Sequence, residues 1–237
     1  MQGATPRLPY RDREHAGAVL AEALASYADK DDLVVLGLPR GGVVVAAEVA
    51  RRLGATLDLV VVRKLGVPGQ PELAMGALAS GGVMVVNRDV SDRVAEEDLA
   101  RVARREQQEL ERRERRYRGG RVATQLVDRL VILVDDGLAT GATMRAAIES
   151  VSARGAGEVV VAVPVAPPHT VATLRGQADD VICPATPELF FGIGQFYIDF
   201  AQASDDDVTA ILDAAWDGRP EQAAQVSSLR REIRRSE

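Results

Sequence analysis

A chain of 237 residues has room for one substantial buried core with at most a small appended lobe. Its apolar content of 46%, charged content of 27% and net charge of −6 describe an ordinary soluble domain and argue against a nucleic-acid or anionic-membrane partner. No run approaches the ~18 apolar residues of a membrane span, and Cys183, the one cysteine, excludes an intrachain disulfide and, with two distant histidines, a His/Cys zinc site. The opening residues lack the apolar stretch of a secretory signal, so a cytoplasmic protein is expected.

Asp12 to Tyr27 carries a helical apolar stripe (Ala16, Val19, Leu20, Ala23, Leu24) with Asp12 as N-cap. His15 near its start reads as a solvent-side residue, and Arg11 and Arg13 could reach a phosphate, although surface charge is the favoured reading. Leu33 to Leu38 has the length and branching of a buried strand. It runs into Pro39-Arg40-Gly41-Gly42 and then a Val/Ala-rich helix to Leu53. A loop between a strand and a helix N-terminus presents unpaired N–H groups to an anion, and here Arg40 adds charge beside Gly41 and Gly42. A cis peptide is expected at Leu38–Pro39, because proline lowers the usual cost of about 3 kcal/mol to below about 1.

Leu57 to Val62 reads as a second buried strand ending in Arg63-Lys64. Residues 65–76 hold two prolines and three glycines and are expected to form a mobile loop whose one carboxylate is Glu72. Glu72 is open to two readings, a site carboxylate or a turn residue. A strand at Gly82 to Val86 should pair with Ala77 to Ala79. Ser91 to Arg118 reads as one solvated helix with nine arginines, eight acids and a thin stripe at Ala95, Leu99, Val102, Leu110 and Tyr117. A dimer contact is its best functional alternative.

The most informative stretch is Leu130 to Thr143. Five apolar residues make a buried strand, Asp135 and Asp136 follow, and Gly137-Leu138-Ala139-Thr140-Gly141-Ala142-Thr143 leads into a helix starting near Met144. The glycines let backbone N–H groups close on a phosphate and the threonine hydroxyls add donors. The paired carboxylates are acceptor-only groups, as vicinal sugar hydroxyls require. A ribose 5-phosphate site follows from that combination. Beyond it come a strand at Val159 to Val165, a weak helix from His169 to Gln177 and a short strand at Asp180 to Cys183. Pro184 to Phe200 holds all four phenylalanines. Ser204 to Trp216 is an acid-capped helix, and residues 218–237 read as a tail.

All thirteen positions from Val131 to Thr143 resemble the PRPP-binding signature of the type I phosphoribosyltransferases, PRPP being 5-phosphoribosyl 1-diphosphate. Pro39 to Gly42 resembles the diphosphate loop of that family, and Arg63-Lys64 the basic turn of its adenine-type members. The aromatic segment resembles the hood placed over the acceptor base, with Phe191 and Tyr197 as the contact candidates. The resemblance implies an α/β fold: a mainly parallel central sheet with helices on both faces plus a small hood. The expected layout is a single domain over 1–217, with core about 30–165 and hood about 166–200 near the N-terminal helix. Expected partners are PRPP and an unidentified base or other small acceptor, with no nucleic acid or membrane and a possible homodimer. The expected cofactor is Mg²⁺, met by Asp135 and Asp136 directly or through PRPP.

On this resemblance Gly137 to Thr143 take the 5-phosphate, Asp135 and Asp136 the ribose hydroxyls, and Arg40, Lys64, Gly41 and Gly42 the diphosphate. Asp136→Asn is expected to cost turnover far more than stability. Relatives acting on 6-oxopurines carry a carboxylate where this chain has Ala139, so the loop is nearer the adenine-type pattern. A regulatory protein sensing PRPP or a nucleotide is the alternative to a transferase. A hydrolase is third, since no separate nucleophile or base cluster supports it.

Overall fold

Five apolar runs pair edge to edge into a parallel sheet. The computed structural model describes residues 6–28 and 30–218, the side chains of Pro71 and Glu72 excepted. The sheet contains β1 (Leu33–Gly37), β2 (Thr56–Leu59), β6 (Leu130–Val134), β7 (Glu158–Ala162) and β8 (Asp180–Ile182) in the order β2-β1-β6-β7-β8. Every residue of β1 and β6 is buried, which accounts for their unbroken apolar sequence. Helix α2 (Gly41–Leu53) packs with α1 (Arg13–Ala23) and α7 (Asp205–Trp216) on one side. Helices α5 (Ala142–Ala153) and α6 (Pro168–Leu174) cover the other.

The register decides where a ligand can sit. β1 and β6 run parallel with Leu33 opposite Leu130 and Gly37 opposite Val134, so the two strands end level. From β1 the chain winds outward to β2, whereas from β6 it winds the other way to β7 and β8. The order therefore reverses between β1 and β6, and in open parallel sheets the crevice beyond such a reversal holds the ligand.

Beyond β2 the sequence expectation needs three corrections. The run expected as one strand, Leu57 to Val62, is divided: β2 stops at Leu59, and Val62 starts β3 (Val62–Val67) of a separate antiparallel arm. The segment 65–76, expected as a mobile loop, is mostly strand. β3 turns at Pro68-Gly69 into β4 (Gln70–Ala79), with Val67 opposite Gln70 and Gly69 at φ +80°. A Pro-Gly pair at the centre of a two-residue turn supplies both dihedrals that such a turn needs, so these residues close a hairpin instead of loosening a loop. β5 (Val83–Val86) pairs with β4 through Ala77 to Ala79 as expected. The third correction concerns the arginine-rich helix. It begins as a short α3 (Arg88–Ser91), breaks, and resumes as α4 (Glu96–Arg118) with Ala95 outside as the N-cap.

The stripe of α4 is spent within the chain: Val102, Leu110 and Tyr117 are buried in the core shared with the arm and α7. Its charges are not all solvated either. Glu106 is buried and accepts from Arg63 of β3 and from Arg105. Burial would raise the Glu106 carboxyl, but bonds from the two arginines outweigh it and hold it below the usual range. At the end of α4, Arg118 (7% exposed) donates to Asp58 Oδ1 at 2.7 Å and to the Leu59 carbonyl, while Asp58 (1% exposed) also accepts from Thr124 N. This pair ties α4 to the end of β2.

Removing either buried acid should be visible in unfolding experiments. Asp58→Asn strands the Arg118 guanidinium in the core and should cost about 3–5 kcal/mol, the usual penalty for removing one partner of a buried pair; urea unfolding checks it. For Glu106, whose carboxyl is held low in the folded chain, the added stability is present above the unfolded pKa and is lost as pH falls through the folded one. Urea midpoints should therefore drop more between neutral and acid pH in the native chain than in Glu106→Gln.

Candidate active site

Two loops leave the level ends of β1 and β6 side by side. Gly37 and Leu38 still follow the sheet, with Leu38 N donating to the Val134 carbonyl at 2.9 Å. That pairing keeps the chain extended through Leu38–Pro39, and the cis bond lies one residue further on, at Pro39–Arg40. The expected position is corrected accordingly: proline eases only the bond before it, but that bond is still within the sheet register. Arg40 stands at the N-cap of α2, half-buried, and makes no ion pair with any described residue.

The second loop lies directly against the first. A β-carbon at Gly41 would collide with Asp136 Oδ2 and with Arg13 Nε, and one at Gly42 would meet Asp135 Cα and Oδ1 at 2.9 Å. Pro39 to Gly42 and Asp135 to Thr143 thus form one floor, with the acids between. Asp136 N donates to Asp135 Oδ1 at 2.8 Å. Burial and the neighbouring Asp136 charge push the Asp135 carboxyl well up. Burial also raises Asp136, opposed by the charge and hydrogen bond of Arg13.

The phosphate-type loop is held from outside, by its carbonyls and one amide. Tyr197 Oη donates to the Asp136 carbonyl at 2.6 Å, Thr170 Oγ1 donates to that of Ala139 at 2.6 Å, and Leu138 N donates to Val165 O at 3.0 Å. A side chain at Gly137 would strike Ile193 Cγ2 at 2.7 Å, so the hood closes over that residue. Gly141, at φ +72°, caps α5 in the left-handed region that glycine adopts without strain. The amides of Ala139, Thr140 and Gly141 bond to no described residue. Ala142 N makes only a long 3.5 Å contact with Thr140 Oγ1. These free donors sit at the positive end of α5.

The hood is built from two distant pieces. Tyr10 N donates to the Phe196 carbonyl and Ile198 N to that of Tyr10, both at 2.8 Å. Tyr10, Tyr197 and Phe200 then stack in sequence, with centroid separations of 5.5 and 4.9 Å. Tyr197, 6% exposed, serves the loop backbone, and burial raises its hydroxyl so that it stays protonated as a donor. Phe191, in contrast, is 90% exposed at the hood surface. On the far side of the loop, Lys64 and Thr143 line one cavity of about 460 Å³ between the arm and α5, together with Arg145 and Asn87. Strand alternation separates Lys64 from Arg63, which turns to α4 instead. The side chain of Glu72 and the tail expected beyond Gly218 lie outside the described residues.

The sequence reading missed Arg13, expected on the surface. It is 8% exposed and its Nε donates to Asp136 Oδ2 at 2.7 Å. One signal was present: an arginine in the first turn of a helix faces the wrong end of the dipole, which costs about 0.3–1 kcal/mol unless a partner compensates. The pair also revises the expectation that Asp136→Asn spares stability, since it would strand a buried guanidinium at about 3–5 kcal/mol.

A parallel sheet of this order, with loops after β1 and β6 that each open a helix, is the α/β fold of the phosphoribosyltransferase class. Residues 11–201 match the phosphoribosyl transferase domain family, and the chain belongs to that family. It is 51% identical over 208 residues to a Mycobacterium tuberculosis H37Rv protein named "Putative phosphoribosyl transferase Rv0571c", covering 87% of this chain and 47% of that one. The protein of the CDC 1551 strain, MT0597, matches equally. The chain thus spans about half the length of these curated relatives. The crystal structure of TT1426 from Thermus thermophilus superposes with a TM-score of 0.77 at 49% identity, covering 86% of this chain and 98% of that one. Among the described residues no helix is long and apolar enough to cross a membrane.

Gly41→Ala tests the contact between the loops. The added methyl must displace the Arg13–Asp136 pair, so a cost of about 1–3 kcal/mol, typical of overpacking, is expected in unfolding experiments.

Proposed function

We propose that the protein transfers the ribose 5-phosphate group of PRPP to a base or another nucleophilic acceptor, with diphosphate leaving as its magnesium complex. The observation that carries this reading is the contact of Gly41 and Gly42 with Asp135 and Asp136, which sets a twin carboxylate between two anion loops. Cleavage of the C1–O bond passes through an oxocarbenium-like state. The chain's task is to hold the sugar, neutralise the leaving group and exclude water.

Within Gly137 to Thr143, the free amides of Ala139, Thr140 and Gly141 and the threonine hydroxyls bind the 5-phosphate, and Asp135 and Asp136 accept from the ribose hydroxyls. Arg40, with the Gly41 and Gly42 amides at the N-terminus of α2, takes the diphosphate, and Lys64 reaches it from the arm. The hood, with Phe191 at its surface, closes over the acceptor. Ala139 removes the carboxylate that 6-oxopurine enzymes carry before the Thr-Gly pair, so the acceptor is one that needs no proton exchange there.

Magnesium suits this donor set. Among the described residues no three His, Cys, Asp or Glu side chains cluster, and Asp136 already pairs with Arg13. Two adjacent carboxylates fit a hard ion that keeps most of its oxygens from water and phosphates. Asp135 and Asp136 would hold it, chiefly through the oxygens of PRPP, and it would offset charge on the leaving diphosphate.

Diphosphate release from PRPP, measured with magnesium against a panel of bases, decides the reading. Acceptor-dependent release supports transfer; PRPP binding with no release under any acceptor would turn the assignment to a sensor. Asp135→Asn and Asp136→Asn should each lower kcat/KM roughly 10- to 100-fold, the range for losing a hydrogen bond to a charged group.

A further inference from the structure

Asp136 is gripped at both ends by the hood. Its carbonyl accepts from Tyr197 Oη at 2.6 Å, and its carboxylate accepts from Arg13 Nε at 2.7 Å. Arg13 does not stop there. Its Nη1 donates to the Ala201 carbonyl at 2.8 Å, and its guanidinium carbon lies 4.0 Å from the centroid of the Phe200 ring. Phe200 ends the aromatic segment that begins at Pro184, and Ala201 follows it directly. One planar side chain therefore connects the acid of the sugar site to the element that would cover the acceptor.

We infer that Arg13 is a positioning residue that couples the hood to the ribose-hydroxyl clamp, so that the orientation of the Asp136 carboxylate depends on where the hood sits. The chemistry of the guanidinium makes this possible. Its donors lie in a rigid plane, so one edge fixes a carboxylate while another holds a carbonyl, and its face stays free to lie on a ring. An ammonium has the charge without the fork and cannot hold both partners in a set geometry. Burial strengthens the linkage, because a desolvated pair resists separation far more than one in water. Gly41 adds a steric limit: a β-carbon there would meet both members of the pair, leaving them no room to part toward the diphosphate loop. A hood drawn down on an acceptor would carry Arg13 with it and tighten the grip on the sugar. This inference rests on the assignment of Asp136 to the ribose hydroxyls.

Calorimetric titration of the full chain with ribose 5-phosphate and, separately, inorganic phosphate tests it. The phosphate loop does not include Arg13, so phosphate reports whether the floor of the site is intact. Arg13→Met should weaken ribose 5-phosphate binding about tenfold or more while phosphate affinity stays within about twofold. Arg13→Lys should recover only part of the loss. Phe200→Leu, which removes the ring but touches neither Arg13's charge nor Asp136, should weaken ribose 5-phosphate about 3- to 10-fold. The double variant Arg13→Met/Asp136→Asn should lose no more than Asp136→Asn alone. If Arg13→Met keeps its ribose 5-phosphate affinity while Asp136→Asn loses it, the coupling is wrong and the assignment of Asp136 stands. Equal loss of phosphate and ribose 5-phosphate in Arg13→Met would make its role structural and overturn the inference. Unchanged binding in Asp136→Asn would overturn the assignment, and the inference with it.

Discussion

Two neighbouring strands that end level are the constraint from which the rest of the site follows. Because Gly37 stands opposite Val134, the loops after β1 and β6 must leave the sheet at the same height. They then compete for the same space, and only residues without side chains at Gly41 and Gly42 allow Asp135 and Asp136 to lie against the first loop. Each loop opens a helix, so two positive helix ends face one crevice.

The walls of the crevice are attached to the floor by few but well-placed polar bonds. Tyr197, Thr170 and Val165 hold the phosphate-type loop by its backbone, leaving its inner amides for a ligand. Arginines do the corresponding work for the outer elements: buried Arg118 joins α4 to β2, half-buried Arg63 joins the arm to α4, and buried Arg13 joins the hood to the acid pair. Arg118 and Arg13 are planar donors that each satisfy more than one acceptor, a task to which lysine is poorly suited. The net charge of the chain is thus a poor guide to its arginines, several of which are internal fastenings.

Membership of the phosphoribosyl transferase domain family accords with that architecture. The relatives from Mycobacterium tuberculosis are about twice the matched length. On the proposed function, the departure at Ala139 and the composition of the hood bear on the acceptor, whereas the two loops bear on the sugar and its phosphates. These are separable physical problems. Phosphate recognition needs backbone donors that sequence spacing reveals, but acceptor recognition depends on how rings from residues 184–200 sit over the crevice.

By itself the sequence determined the strand and helix alternation, the two glycine-bearing strand-to-helix loops and the acid pair, because these are local: an apolar run followed by carboxylates, glycines and threonines lies within fourteen residues. It also anticipated pairing of the short strands of the arm. The tertiary structure alone decided three matters. Pro68-Gly69 closes a hairpin because strands on either side find each other, although the same dipeptide is common in open loops. The cis bond falls after Pro39 because pairing with β6 holds the preceding residue in register. Arg13 belongs to the site because the hood folds the N-terminus back across 123 residues of chain onto Asp136. Spacing along a chain reveals which groups are neighbours on one loop; a contact between groups so far apart exists only once the sheet has been assembled between them.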